Sequence, residues 1–436
     1  MTTTAPAGLD FGNPTELDRS LSAMVRRLRG SVILKIAAEV RGMIAAGKPV
    51  CNLTVGDFDP KQFPIPGKLL AGVRGALERG ETNYPPSEGL LPLRNAVVDY
   101  VEREQGVRYP VESVLIASGG RPVVYAAFRA ILDEGDTVIY SVPSWNNDYY
   151  ADITKAKAVE IEADRANGFQ PTLEQIAPHL PHANLLCLCS PGNPTGTMMT
   201  ADSLRRILEA VVAENEARRA AGRRFLFVFF DQIYGSLVYP PARYDNPVAL
   251  VPEAAPYVIA LDGISKAFAS TGLRLGWVLA APALISRMKD FLGHVGAWAP
   301  RPEQVATAEF LADPAAIAAY RADMHRGIKA RLDALYEGFS ALKAAGHPVD
   351  CIDPQGAIYL SLRLDLVGRS IDGKPIRNNE DIRQVMLEHA GLAVVPFQAF
   401  GLKQDTGWFR MSVGAVSLAD IAAAFPRIRT FLERIQ

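Results

Sequence analysis

The chain has 436 residues, with 46 Lys plus Arg against 47 Asp plus Glu and a formal net charge of −1. That balance leaves no basic excess for holding a nucleic acid or an anionic membrane surface. Hydrophobic residues at 49% and charged residues at 21% describe a folded protein with a large core, and four cysteines are too few for a disulfide framework.

The opening MTTTAPAGLDFG lacks a basic stretch followed by an apolar one, so a cytoplasmic protein is expected. Apolar runs such as FLFVFF fall far short of the ~20 residues that cross a bilayer. After an N-terminal helical section, VLIAS (114–118) leads into the helical RPVVYAAFRAIL and then TVIYS (137–141). NLLCLCS (184–190) precedes the helical SLRRILEAVVAENEARRA, and RFLFVFFD, YVIALDGIS (257–265) and RLGWVLA (274–280) follow. These runs are continuously apolar, as strands covered on both faces must be. The expected fold is therefore α/β, a mainly parallel central sheet with helices on both faces. A long helix from about 314 to 345 and shorter strands at AIYLSL, LAVVP and WFRMSV point to a smaller α+β unit built from both chain ends. The expected division is 1–60 and 301–436 for the small unit and 61–300 for the large one.

Ligands of open α/β sheets bind beyond the carboxyl ends of the strands. Here those ends read SGGR, PSW, SPGNPTG, DQIY and SKAF. Asp231 closes an apolar strand, where a carboxylate either caps the next turn or meets a cationic partner. Lys266 alone reads as a solvated lysine. With Ser265 beside it and Arg274 eight positions later, it suits a phosphate ester carrying a reactive aldehyde. Gly119 and Gly120 let backbone N–H groups approach an anion at a helix start near Arg121-Pro122, although strand–GG–helix turns are also common without ligands. Neither a GxxxxGK[ST] nor a GxGxxG loop is present.

Together SPGNPTG (190–196), DQIY (231–234), SKAFASTGLRLGW (265–277) and WFRMSVG (408–414) resemble the class I/II aminotransferases, from VGDFDP (55–60) to about Val416. These are pyridoxal-phosphate enzymes of fold type I, of the aspartate aminotransferase group. The resemblance implies that Lys266 forms the internal aldimine with pyridoxal 5′-phosphate and then serves as the base that moves the Cα proton. It implies that Asp231 holds the pyridine nitrogen protonated, and that Tyr234 and Asn193 hydrogen-bond the ring oxygen. Ser265, Arg274 and the Gly119-Gly120-Arg121 backbone become the phosphate cup, and Trp145 the ring-stacking aromatic. Tyr84, in TNYPPSEGLLPLR, resembles the tyrosine that reaches the cofactor phosphate of the partner in a homodimer. Arg410 becomes the anchor of the substrate α-carboxylate, with Gly56, Asn193 and Trp145 around it.

Arg121 holds the place of a basic residue that reads a second carboxylate in one branch of the family, which favours aspartate, glutamate and 2-oxoglutarate. The implied reaction is amino transfer from an L-amino acid to a 2-oxo acid, most naturally aspartate with 2-oxoglutarate. Other amino acids, aromatic ones included, or a lyase reaction on the same cofactor stay open, since only bond orientation at Cα separates them. Gln232, where an acidic residue is common, and the polar run Asn146-Asn147-Asp148 depart from the usual pattern. No metal, nucleic-acid or membrane partner is expected.

Overall fold

The computed structural model describes residues 9, 11–28, 30 and 32–436. Its centre is a seven-stranded sheet in the spatial order Val114–Ala117, Gly276–Leu279, Val258–Gly263, Phe227–Asp231, Leu185–Cys189, Thr137–Val142, Lys157–Glu162. All neighbours run parallel except Gly276–Leu279, which is antiparallel to both of its own. The sheet is thus mainly parallel and covered on both faces, as the sequence implies.

Why the runs are apolar throughout is visible in how their side chains divide. Ile116, Ile139, Leu186, Leu188, Val228, Phe230, Val258 and Ala260 enter one core with Leu93 and Val97 of the helix Leu91–Gln105 and with Leu204, Ile207 and Val211 of Ala201–Ala220. The alternate residues Leu115, Ala117, Val138, Tyr140, Leu185, Cys187, Phe229, Ile259 and Leu261 enter a second core. That core is closed by Val124, Ala127 and Phe128 of Gly120–Ile131 and by Ile285, Met288 and Leu292 of Pro282–Val295. Period two sends the apolar residues of the central strands alternately into the two layers, each large side chain contributing about 1.5–3 kcal/mol on burial.

A separate four-stranded antiparallel sheet has the order Val395–Pro396, Trp408–Ser412, Tyr359–Leu364, Val349–Cys351. The 31-residue helix Pro314–Ala344 lies against it through Ile328, Leu332, Leu335 and Phe339, and Leu418–Glu433 through Ile421, Ala424, Ile428 and Phe431. Cys51–Asn52 pairs in parallel with Leu392–Ala393, which stitches the N-terminal segment to the C-terminal half.

Packing places the seam between the cores later than residue 300. The helix Arg301–Leu311 buries Ala306, Phe310 and Leu311 in the large core, and Ile317 follows them. From Met324 onward the long helix belongs to the small core. The strand Lys157–Glu162 was not among the expected ones. It lies at the sheet edge with Lys157 and Ala158 exposed, so its KAVEIE sequence lacks the two-faced apolar signature. No helix among the described residues is long and apolar enough to cross a membrane.

Candidate active site

The carboxyl ends of the central strands meet the N-terminal segment and the small sheet. Asp231 terminates Phe227–Asp231, and the neighbouring strand Val258–Gly263 runs directly into a helical turn, Ile264–Ala267, that carries Lys266. Gly263 permits that exit: a Cβ there would stand 2.7 Å from Gly276 Cα.

Asp231 accepts a hydrogen bond from the Ile233 N–H at 3.0 Å and has no ion pair among the described residues. Burial without a cation pushes its carboxyl up from 3.8 to about 6. Lys266 donates from Nζ to the Gly56 carbonyl at 2.7 Å and stands 3.7 Å from Asp57 Oδ1, its side chain 13% exposed. Desolvation lowers its pKa from 10.5 to about 8, with Asp57 opposing the shift and Arg410 assisting it. A substantial neutral-amine fraction near neutral pH is what attack on an aldehyde requires.

Gly119, at φ +90°, caps the helix Gly120–Ile131. A Cβ on Gly119 would fall 2.5 Å from Arg274 NH2, so only glycine lets that guanidinium close on the turn. Arg274 donates to the Thr271 carbonyl at 2.7 Å and to the Ser118 carbonyl at 3.1 Å, and pairs with no carboxylate among the described residues. The result is a helix N-terminus faced by an unneutralised guanidinium, with buried Ser265 on the next strand's exit. That donor set fits a phosphate group.

On the other side Arg410, only 2% exposed, projects from Trp408–Ser412. Its guanidinium donates to the Thr54 carbonyl at 2.7 Å and to Asn193 Oδ1 at 3.2 Å. It lies 4.7 Å from the Tyr359 ring centroid and 4.9 Å from that of Phe400. Nε has no partner, and no carboxylate pairs with Arg410 among the described residues. An uncompensated buried guanidinium is costly, and burial lowers its pKa. Gly56 completes the corner, since a Cβ there would crowd Tyr359 Oη at 3.1 Å and Arg410 NH1 at 3.3 Å. Tyr234 reaches the same place and shares a 2.5 Å hydrogen bond between its hydroxyl and that of Tyr359.

The structure therefore brings Lys266, Asp231, Tyr234, Asn193, Ser265, Arg274, Gly56, Gly119, Gly120 and Arg410 to the strand ends and the facing small sheet. Arg121 opens the helix after Gly119 and lays its guanidinium 4.9 Å from the Trp145 ring centroid, with no ion pair among the described residues. Tyr84 lies apart from this group in the single chain, 81% exposed and edge-to-face with Trp298 at 5.3 Å. Asp57 and Tyr359 were missed from sequence. Asp57 receives the Thr271 hydroxyl at 2.9 Å and faces Lys266, and its only sequence signal was adjacency to Gly56. Tyr359 offered only an aromatic within a buried strand run.

The site's unbalanced charges fit a bound cationic ring nitrogen at Asp231, a phosphate at Arg274 and a carboxylate at Arg410. Comparison with known proteins agrees. The family model "Aminotransferase class I and II" matches residues 48–428. An aspartate aminotransferase of Streptomyces avermitilis is 31% identical over 425 residues, covering 96% of this chain and 97% of the relative. The solved aspartate aminotransferase of Rhizobium meliloti superposes with a TM-score of 0.85 at 29% identity, covering 96% of this chain and all of that one. That of Thermus thermophilus with maleate gives 0.84 at 27% identity, covering 95% and 100%. A fold, a site and nearly full-length similarity that agree place this chain in the class I and II aminotransferase family.

Proposed function

We propose that this aminotransferase binds pyridoxal 5′-phosphate and moves an amino group from aspartate to 2-oxoglutarate. The observation that carries the reading is Arg410, a buried guanidinium with no carboxylate partner among the described residues, facing the Lys266 side of the cleft. The cofactor supplies an electron-accepting ring and an aldehyde. Ser265, Arg274 and the backbone at Gly119-Gly120-Arg121 hold its phosphate, and Asp231 faces its ring nitrogen. Tyr234 and Asn193 address its ring oxygen and Trp145 its ring face. Arg410 binds the substrate α-carboxylate with two parallel N–H donors, supported by Asn193 and the close backbone at Gly56. Lys266 Nζ, held partly neutral, takes the proton from the substrate Cα.

Three observations support a dicarboxylic substrate. Arg121 presents beside Trp145 a guanidinium with no ion pair among the described residues. The Streptomyces and Rhizobium relatives are named as aspartate aminotransferases, and the Thermus structure holds maleate, a dicarboxylate. We read the exposed Tyr84 as a group that completes the phosphate site of a second copy in a homodimer. The assembly is read as cytoplasmic, with the N-terminal segment and the C-terminal part joined in the smaller unit. The test is direct. The purified chain is loaded with pyridoxal phosphate and mixed with aspartate and 2-oxoglutarate; glutamate with equimolar oxaloacetate is expected. Ammonia release without glutamate overturns transfer, and faster reaction with neutral donors overturns the substrate choice.

A further inference from the structure

Tyr234 follows the strand Phe227–Asp231 of the large sheet, and Tyr359 opens the strand Tyr359–Leu364 of the small one. Their hydroxyls meet at 2.5 Å and their rings pack edge-to-face at 5.4 Å. Both side chains are buried, and burial holds both phenols protonated well above neutral pH. Two neutral hydroxyls carry two protons, and one proton lies between the oxygens. Only one hydroxyl can donate outward, and which one is set by the direction of the shared bond.

The surroundings decide that direction. Arg410 places its guanidinium 4.7 Å from the Tyr359 ring centroid, and a cation on a phenol ring favours electron density leaving the O–H bond, which makes Tyr359 the better donor. The Tyr359 hydroxyl is also covered by Gly56, whose Cα leaves no room for a side chain between them.

We propose that Tyr359 is a positioning residue: its hydroxyl donates to Tyr234 and thereby points the Tyr234 proton at the ring oxygen of the bound cofactor. This rests on the pyridoxal phosphate reading above. A chain of hydrogen bonds polarises each member, so Tyr234 donates more strongly with Tyr359 behind it than alone. Donation to the ring oxygen draws off negative charge that otherwise helps hold a proton on the Lys266 nitrogen. Loss of the Tyr359 hydroxyl therefore moves that proton's titration to higher pH.

The experiment follows the visible absorption band of the pyridoxal-phosphate-loaded enzyme against pH in four proteins: the native chain, Tyr359→Phe, Tyr234→Phe and the double variant. Y359F is expected to raise the midpoint by a few tenths of a unit to about one unit. Y234F is expected to raise it further, and the double variant to match Y234F alone, because the relay has no effect without its second member. An unmoved midpoint in Y359F, or an equal shift by Y359F in the Y234F background, overturns the relay. Y359F keeps the ring that Arg410 and Tyr234 pack against and removes only the hydroxyl, so the shift reads the relay and not a repacked core. Absence of any visible band in the native chain overturns the cofactor reading itself, so the two failures are told apart.

Discussion

Apart from the phosphate cup at Arg274 and the amine of Lys266, the two halves of the cleft carry charges of opposite sign. The half built on the large sheet carries a half-buried carboxylate, Asp231, with no ion-pair partner among the described residues. The half built on the small sheet and the N-terminal segment carries a buried cation, Arg410, with no carboxylate partner among the described residues. The two do not neutralise each other: Arg410 spends its hydrogen bonds on Thr54 and Asn193, and Asp231 accepts from Ile233. Each half is incomplete in the sense that its own ligand corrects, a ring cation in one and a carboxylate in the other. Local stability has been given up in both places, and ligand binding restores it.

Removing the amine that both halves serve gives the largest effect. Lys266→Ala is expected to lower turnover by at least about 10³-fold and to abolish the visible band of the loaded enzyme. Retention of either shows that the two halves do not converge on Lys266. Arg410→Ala breaks the small-sheet half alone. A loss of roughly 10²–10³-fold in kcat/KM is expected for every amino acid, with pyridoxal phosphate affinity little changed; a cofactor defect of equal size erases the distinction.

Arg121→Ala sharpens the same half. It is expected to cost about 10–100-fold in kcat/KM for dicarboxylic substrates and little for neutral ones, by steady-state kinetics on both. Equal losses reduce Arg121 to a helix-start residue. In the large-sheet half, Asp231→Asn separates function from stability. The folded carboxyl titrates near 6 instead of 3.8, so the folded state holds its proton longer than the unfolded chain. Without a cofactor, the group therefore destabilises the fold progressively as pH climbs from about 4 to 6, and the penalty persists above that. D231N is expected to stabilise the cofactor-free protein at pH 7–8 by about 1–3 kcal/mol in denaturant titration while transfer activity falls. Unchanged or lower stability contradicts an uncompensated Asp231.

The smallest effect is at Asp57. Its carboxylate raises the pKa of Lys266 against the lowering by burial. Asp57→Asn is expected to move the pH midpoint of cofactor capture from about 8 to a lower value, read from the rate of band formation. A rise in the midpoint overturns the assignment of Asp57 as the opposing charge.

Sequence made the central sheet legible because its strands are apolar on both faces, and the residues that punctuate their ends are chemically unusual. Asp231 and Arg410 stood out because a charge in an apolar run needs a reason, whereas Lys266 stood out only with Ser265 beside it and Arg274 eight positions later. Lys157–Glu162 did not stand out, because one side of an edge strand meets solvent and its pattern resembles a loop. The reversed direction of Gly276–Leu279 was equally invisible, since a strand buried on both faces looks the same either way round. Tyr359 escaped because its partner hydroxyl lies 125 residues upstream and only folding brings them together. The seam beyond residue 300 was hidden for a related reason. The helix Arg301–Leu311 has an apolar face that suits either core, and its contact with Gly67–Glu78 is a tertiary fact.

The parallel pairing of Cys51–Asn52 with Leu392–Ala393 also orders events during synthesis. The ribosome reaches Leu392 about 340 residues after Cys51, roughly 20–70 s later at ~5–20 residues per second. Until then Cys51–Asn52 has no strand to pair with, and Arg410, against which Gly56 packs, does not yet exist. The residues of the phosphate cup, Gly119, Ser265 and Arg274, all precede Leu392 in the chain and Arg410 follows it, so translation delays the amino-acid anchor until after the cup residues have been made.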